Sequence, residues 1–201
     1  MTTIILVRHG ETDWNRDRRI QGRTDIPLND SGREQARDAA AALRAQLDGI
    51  APIVVSSDLS RARETAAIIA EGLDVPLGQA YPQLGERAYG EAEGIDTAEF
   101  FARWGDWYTA DVPGAEPREA LRERAVRALR DVVQDARRET APVSPTIVVV
   151  SHGALIREVI LHATSGELPP TGERLANGAS FTFRFERDRL SLLTYAGAAL
   201  V

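Results

Sequence analysis

The chain has 201 residues, and 24 Lys+Arg against 30 Asp+Glu leave a formal net charge of −6, which argues against a nucleic-acid-binding surface built on excess basic charge. It contains no lysine, so every basic residue is arginine, and Schiff-base, pyridoxal and P-loop lysine chemistry are excluded. It contains no cysteine, which removes thiolate nucleophiles, disulfides, cysteine zinc sites and iron–sulfur clusters, and leaves Ser, Thr, Tyr, Asp, Glu and three histidines (His9, His152, His162) as possible nucleophiles or proton shuttles.

In chain order, Thr3–Val7 reads as a buried strand. A helix capped at Asp30/Ser31 follows, with Ala36, Ala40, Leu43 and Leu47 on one face. Ile53–Ser56 is a second strand, and a helix from about Ser60 carries Ala62, Ala66, Ile69 and Ala70 and ends toward Gly72. The segment 81–114 has glycines, an aromatic cluster (Phe100, Phe101, Trp104, Trp107, Tyr108) and no clean strand; it reads as an insertion over one end of the sheet, either a lid of short helices or a peripheral subdomain. A long helix from about Pro117 to Glu139 has the stripe Leu121, Ala125, Leu129, Val132 and Ala136. Thr146–Ser151 is a third apolar strand, followed by a helix through Leu155, Ile156, Val159 and Ile160. Ser180–Phe185 and Leu190–Tyr195 pair as a hairpin across Glu186–Arg189. Continuously apolar strands alternating with helices predict an α/β sandwich with a mostly parallel sheet. The length predicts one domain over residues 1–201. The N-terminal apolar run is too short for a signal peptide, no segment approaches the ~18 apolar residues of a membrane span, and the expected location is cytoplasmic.

The chemistry concentrates at an internal echo. Thr3–Gly10 reads TIILVRHG and Thr146–Gly153 reads TIVVVSHG, each an apolar strand running into His-Gly. Ligands bind at the carboxyl ends of parallel strands, so the echo predicts His9 and His152 at one sheet edge, with Gly10 and Gly153 allowing close backbone approach. His162 lies inside a helix, shows no metal spacing to either partner, and is read as a packing or surface residue; no metal site is expected. Arg8 precedes His9, and IVVSSDLSRAR delivers Arg61 and Arg63 just past another strand at a helix start. Planar arginine forks and helix N-termini both select phosphate; for Arg63 a surface ion pair is an equal reading. Neutral imidazole is a nucleophile toward phosphorus, and a protonated second histidine would add to the arginine charge. The leaving alkoxide needs an acid, for which LGERAYGEAEG offers Glu86, Glu91 and Glu93; Glu86 is the first candidate, and spacing alone does not choose among the three.

These residues resemble the histidine phosphatase superfamily, the phosphoglycerate-mutase-like or RHG proteins. LVRHGETDWN at Leu6 carries the signature, and Gln21–Gly22, Asp25–Pro27–Leu28, SGREQA at Ser31, SSDLSRARETA at Ser56, LGERAYGEAEG at Leu84, VPGAEPREA at Val112, VVVSHGALIR at Val148 and Leu175–Phe185 with Asn177 follow in family order. The resemblance implies a three-layer α/β/α sandwich with no metal or organic cofactor. His9 is the phosphorylated nucleophile in this reading, with its other ring nitrogen held by a backbone carbonyl. Arg8, Arg61 and His152 complete the phosphate pocket, and Asn15, Gln21, Gly22 and the Gly153 N–H line it. Glu86 serves as the acid and then as the base that activates water. The implied partner is a small phosphomonoester, without nucleic acid or membrane, and homodimers occur in the family. The segment Glu86–Gly90 keeps the Arg87 and Tyr89 of the mutases' substrate-binding stretch but has Ala88 in place of its histidine. No adjacent arginine pair occurs in Phe100–Glu119, and Arg137–Arg138 falls at a helix end. The expectation is therefore a phosphatase, with a cofactor-dependent mutase as the alternative and a protein-phosphohistidine phosphatase or a silent binding module behind it.

Overall fold

The first strand reads TTIILVR, and its side chains are buried on both faces, as a central strand of a covered sheet requires. The computed structural model describes residues 1–107, 109–187 and 189–200. This strand, β1 (Thr2–Arg8), lies centrally in a sheet of seven strands. Its Ile4 and Leu6 belong to one apolar cluster and its Ile5 and Val7 to the other, so each successive side chain feeds the opposite layer.

The remaining elements follow as α1 (Asp13–Arg16), α2 (Asp30–Leu47), β2 (Ile53–Ser56), α3 (Ser60–Leu73), β3 (Leu77–Ala80), α4 (Thr97–Trp104), α5 (Arg118–Thr140), β4 (Thr146–Ser151), α6 (Gly153–Ala163), β5 (Ser180–Glu186), β6 (Arg189–Tyr195) and β7 (Ala198–Ala199). The strand order is β3-β2-β4-β1-β5-β6-β7. The sheet is mixed: β3, β2, β4 and β1 run parallel, while β5, β6 and β7 continue it antiparallel. Helices α2 and α3 cover one face and α5 and α6 the other, giving the α/β/α sandwich. The stripe of α5 is carried by Leu121, Ala125, Leu129, Val132 and Ala136, all at or below 4% exposed. Full burial of each larger aliphatic there contributes roughly 1.5–3 kcal/mol.

Several boundaries differ from the sequence expectation. The cap of α2 is Asn29, one residue before Asp30/Ser31; its side chain accepts the Gly32 N–H at 2.8 Å. Edge strand β3, with sequence LGQA, has no β-branched residue and no alternation to announce it. The hairpin turn is tighter than expected, with Glu186 paired to Arg189; Asp188 of this turn lies outside the described residues. Between β3 and α5 the chain makes two 3-10 turns, Pro82–Leu84 and Gly90–Ala92, and the short α4. These build a satellite core of Ile20, Ala92, Phe100 and Val112, on which Trp104 and Trp107 pack; Tyr108 of the expected aromatic cluster lies outside the described residues. Among the described residues no helix is long and apolar enough to cross a membrane.

Candidate active site

The four parallel strands converge their carboxyl ends on one place. β1 and β4 pair in parallel with Thr3 opposite Thr146 and Arg8 opposite Ser151, so the two echoed segments lie in register. The next residues, His9 and His152, therefore meet, with ring centroids 5.1 Å apart and planes tilted by 59°. His9 is 2% exposed and His152 fully buried. The Nδ1–H of His9 donates to Gly10 O at 2.7 Å, which leaves the Nε2 lone pair available. The backbone behind it is fixed: Asn177 Nδ2 donates to His9 O (2.9 Å) and Gly10 N–H to Thr65 Oγ1 (3.1 Å). Gly10 meets the start of α2 so closely that an added Cβ would stand 2.2 Å from Gly32 O, which explains why glycine follows this histidine.

β2 leads into α3, whose Arg61 is fully buried. Two of its nitrogens are spent on the backbone: Nη1 donates to Thr24 O (3.0 Å) and Nη2 to Gly22 O (2.8 Å). The turn that offers these carbonyls is gripped on two further sides. Asp25 Oδ1 accepts the N–H and the hydroxyl of Ser60 at the head of α3. The Glu93 carboxylate accepts the N–H groups of Arg23, Thr24 and Tyr89 and the Thr24 hydroxyl. Gly22 has φ +57°, and a Cβ there would lie 2.1 Å from Glu93 Oε1. Arg8 lies at the end of β1 and donates through Nη1 to Leu175 O.

β3 leads to the third component. Both oxygens of Glu86 are engaged: Oε1 accepts the N–H groups of Arg87 (2.9 Å) and Leu155 (3.2 Å), and Oε2 that of Ala154 (3.1 Å). The carboxyl thus rests on the N-terminus of α6, where free N–H groups and the helix dipole favour an acceptor. Oε1 has two donors and Oε2 one, so Oε2 keeps an unoccupied lone pair. Of the competitors, Glu91 is exposed and does not line the cavity. Burial pushes Glu93 up, but the Thr24 hydroxyl and the N–H groups of Arg23, Tyr89 and Thr24 prevail and hold its carboxyl below the usual range. Glu93 is thereby a structural anion that pins the 21–25 turn.

Arg8, His9, Arg61 and Glu86 face a cavity of about 510 Å³, whose walls also include Asn15, Gln21, Gly22, Tyr89 and Gly153; His152, fully buried against His9, is not among its walls. Arg8 Nε, Arg61 Nε and both His152 ring nitrogens are buried and have no partner among the described residues. Each such group costs about 1–3 kcal/mol when left unsatisfied, so their clustering at one point marks a ligand site. Electrostatics correct one expectation. Burial, then Arg61, His9 and Arg8 push His152 well below the usual histidine range, so it is neutral at pH 7 rather than a standing positive charge. Burial, Arg61 and Arg8 do the same to His9, against the Gly10 hydrogen bond, which keeps its imidazole nucleophilic. Standing charge comes from the arginines; burial lowers Arg8 to about 10, still protonated at neutral pH. Burial likewise raises the Tyr89 phenol, which keeps its proton.

Not every expected residue reaches the cavity. Arg87 turns away, donating through Nε to Glu116 O (2.7 Å) and lying 5.0 Å from the Tyr89 ring centroid. Arg63 ties Nη1 to Gly78 O on β3, and His162 is exposed in the last turn of α6. Arg137 and Arg138 engage Thr2 and Asp135. Thr65, Asp25 and Leu175 fall in the segments that carry the resemblance but have no role assigned there, because they act through backbone or local contacts that no spacing encodes. Asn177 belongs to the loop before β5, and its Nδ2 donates to His9 O and to Asn15 Oδ1. Among the described residues no group of three or more His, Asp or Glu is placed to hold a metal ion.

Known proteins with this arrangement exist. The sequence profile of the histidine phosphatase superfamily (branch 1) matches residues 4–196. The chain is 35% identical over 195 residues to the "Uncharacterized phosphatase PhoE" of Bacillus subtilis (strain 168), covering 97% of this chain and 94% of that protein. It is 32% identical over 170 residues to the "2,3-bisphosphoglycerate-dependent phosphoglycerate mutase 2" of Gloeobacter violaceus, covering 80% and 75%. Among solved structures, a phosphoserine phosphatase mutant from Entamoeba histolytica in complex with phosphoserine superposes with a TM-score of 0.76 at 30% identity, covering 98% of this chain and 97% of that one. The chain is a phosphatase/mutase-type enzyme and belongs to branch 1 of the histidine phosphatase superfamily.

Proposed function

We propose that this protein hydrolyses small phosphomonoesters through a phosphohistidine formed on His9. The observation that carries the reading is the histidine pair itself: two buried imidazoles 5.1 Å apart, beside the fully buried Arg61 and the half-buried Arg8, whose buried Nε groups have no partner among the described residues. In the first half-reaction His9 Nε2 attacks phosphorus, the bond from phosphorus to the ester oxygen breaks, and Glu86 gives its proton from Oε2 to the departing alkoxide. In the second, water attacks the phosphohistidine, Glu86 takes a water proton, the N–P bond breaks, and phosphate leaves with His9 restored. Arg8 and Arg61 neutralise the equatorial oxygens, and His152 hydrogen-bonds to them. A bound dianion opposes the depression of the His152 pKa, so the proton this imidazole lacks in the structure is drawn in by the substrate. Asn15, Gln21, Gly22 and Gly153 line the phosphate end.

The rest of the cavity receives the alcohol half of the ester. Arg18 and Arg174 line its rim, and neither is ion-paired among the described residues. This rim, together with the phosphoserine bound by the Entamoeba relative, supports a substrate that carries a second anionic group. The turn of Arg87 toward Glu116 removes one of the two mutase-like features from the cavity and favours hydrolysis over phosphoryl return. The test is trapping with labelled phosphoserine or p-nitrophenyl phosphate. The wild-type enzyme is expected to form an acid-labile, base-stable adduct, and His9→Ala none, with phosphate release down by about 10⁴-fold or more. Wild-type release by His9→Ala, or phosphoglycerate interconversion outrunning release in a coupled assay, refutes the reading.

A further inference from the structure

Glu86 sits in an irregular stretch between the two 3-10 turns, yet proton transfer demands that its carboxyl be held to a fraction of an ångström. The support for that stretch comes from helix α5. Arg124 donates from Nη1 to Gln83 O (2.6 Å) and Gly85 O (2.8 Å), and from Nη2 to Glu86 O (3.2 Å). Its Nε and Nη2 also pair with the two oxygens of Glu116 at 2.8 Å each. A guanidinium has five N–H bonds, and all five of these are used. The one carbonyl of the stretch that Arg124 leaves, Leu84 O, accepts the Ser151 hydroxyl at 2.8 Å. Every carbonyl from residue 83 to 86 is therefore held from below, while the Glu86 side chain is held from α6. Glu116 closes the base of the insert as well: its N–H donates to Ala88 O (2.8 Å) and its carbonyl accepts Arg87 Nε.

We propose that Arg124, buttressed by Glu116, is a positioning residue that sets the aim of the Glu86 carboxyl; this rests on the assignment of Glu86 as the proton-transfer group. Arg124 makes no hydrogen bond to the histidines and reaches the phosphate pocket only through its charge, the last-ranked of the influences on His152, so its loss acts first on the proton-transfer geometry. A lysine offers only three donors on a point charge and cannot hold three carbonyls and a bidentate carboxylate together.

The experiment compares kcat/KM, which reports the steps through leaving-group departure, for p-nitrophenyl phosphate and for alkyl esters such as phosphoserine and glycerol phosphate. For Arg124→Gln, the alkyl esters are expected to lose about 10–100-fold and the nitrophenyl ester less than about 3-fold, because nitrophenolate needs no proton to leave. Inhibition by orthophosphate should be unchanged, and Arg124→Lys should recover part of the alkyl-ester activity. Should Arg124→Gln fail to fold, Glu116→Gln, which breaks the bidentate pair and keeps Arg124, should show the same selectivity at smaller size. Equal losses for both ester classes, beside a selective Glu86→Gln, overturn this proposal alone. An unselective Glu86→Gln overturns the acid assignment and this proposal with it.

Discussion

The two buried imidazoles predict how the protein responds to acid. Burial and the neighbouring arginines depress both His9 and His152 well below 6.5, the value each takes in the unfolded chain. Between the depressed native value and 6.5 the unfolded chain binds protons that the native state refuses, so stability rises with pH through that window and is lost as pH falls. Each histidine can cost at most about 1.4 kcal/mol at pH 5.5 relative to pH 7.5, or about 2.8 kcal/mol for the pair, the limit in which the native state takes up no proton. The carboxylates held below their usual range, Glu93 and Glu116, act in the same direction only below about pH 4.5, so the window isolates the imidazoles. Urea unfolding at pH 7.5 and 5.5, on the wild type and on His9→Gln/His152→Gln, measures the difference. The double variant should lose less across that interval, by up to about 2.8 kcal/mol. A difference below about 1 kcal/mol would mean that a charged imidazole is tolerated in the native site, and the electrostatic account would fail.

Two substitutions probe the phosphate pocket. Arg61→Lys keeps the charge but cannot reach both Gly22 O and Thr24 O while presenting a donor to phosphate; kcat/KM for p-nitrophenyl phosphate should fall by about 10²–10³-fold, and a loss under about 10-fold would show that charge alone suffices. Gly22→Ala forces a left-handed alanine and drives Cβ into the Glu93 carboxylate, so a stability loss of about 1–3 kcal/mol and weaker orthophosphate inhibition are expected from denaturation and kinetic assays.

The sequence exposes what is repeated or periodic and hides what is tertiary. The TIILVRHG and TIVVVSHG echo foretells that His9 and His152 share one sheet edge; the fold adds the in-register pairing of β1 with β4, which carries equal offsets forward and brings the two rings together. The stripe of α5 foretells its buried face for the same reason of period. Glu86 could not be separated from Glu91 and Glu93 by spacing, since the choice depends on which carboxylate α6 receives and which one the 21–25 turn consumes. Arg124 shows the limit most clearly: in sequence it is one more arginine on a charged helix face, and only the fold brings the carbonyls of residues 83, 85 and 86 beneath it. β3 escaped notice because an edge strand of four residues is specified by its neighbour β2 and not by its own LGQA.

The absence of lysine acquires a physical reading at this site. Arg8 and Arg61 do not approach the cavity as free forks; each spends terminal nitrogens on backbone carbonyls, of Leu175 in one case and of Gly22 and Thr24 in the other, and keeps Nε unpartnered. A side chain anchored in this way has already lost the ~2 kcal/mol of rotamer entropy that a loose arginine would lose on binding. The cost is carried by folding, as buried cations and unsatisfied nitrogens that a chain of ordinary stability can hold only in small number. Lysine cannot serve this design, because an ammonium that holds two carbonyls has its remaining donor directed by the same point and not by a rigid plane. Guanidinium chemistry thus lets one residue brace the 21–25 turn and present a fixed donor beside His9, so the geometry that recognises phosphate is set before any substrate arrives.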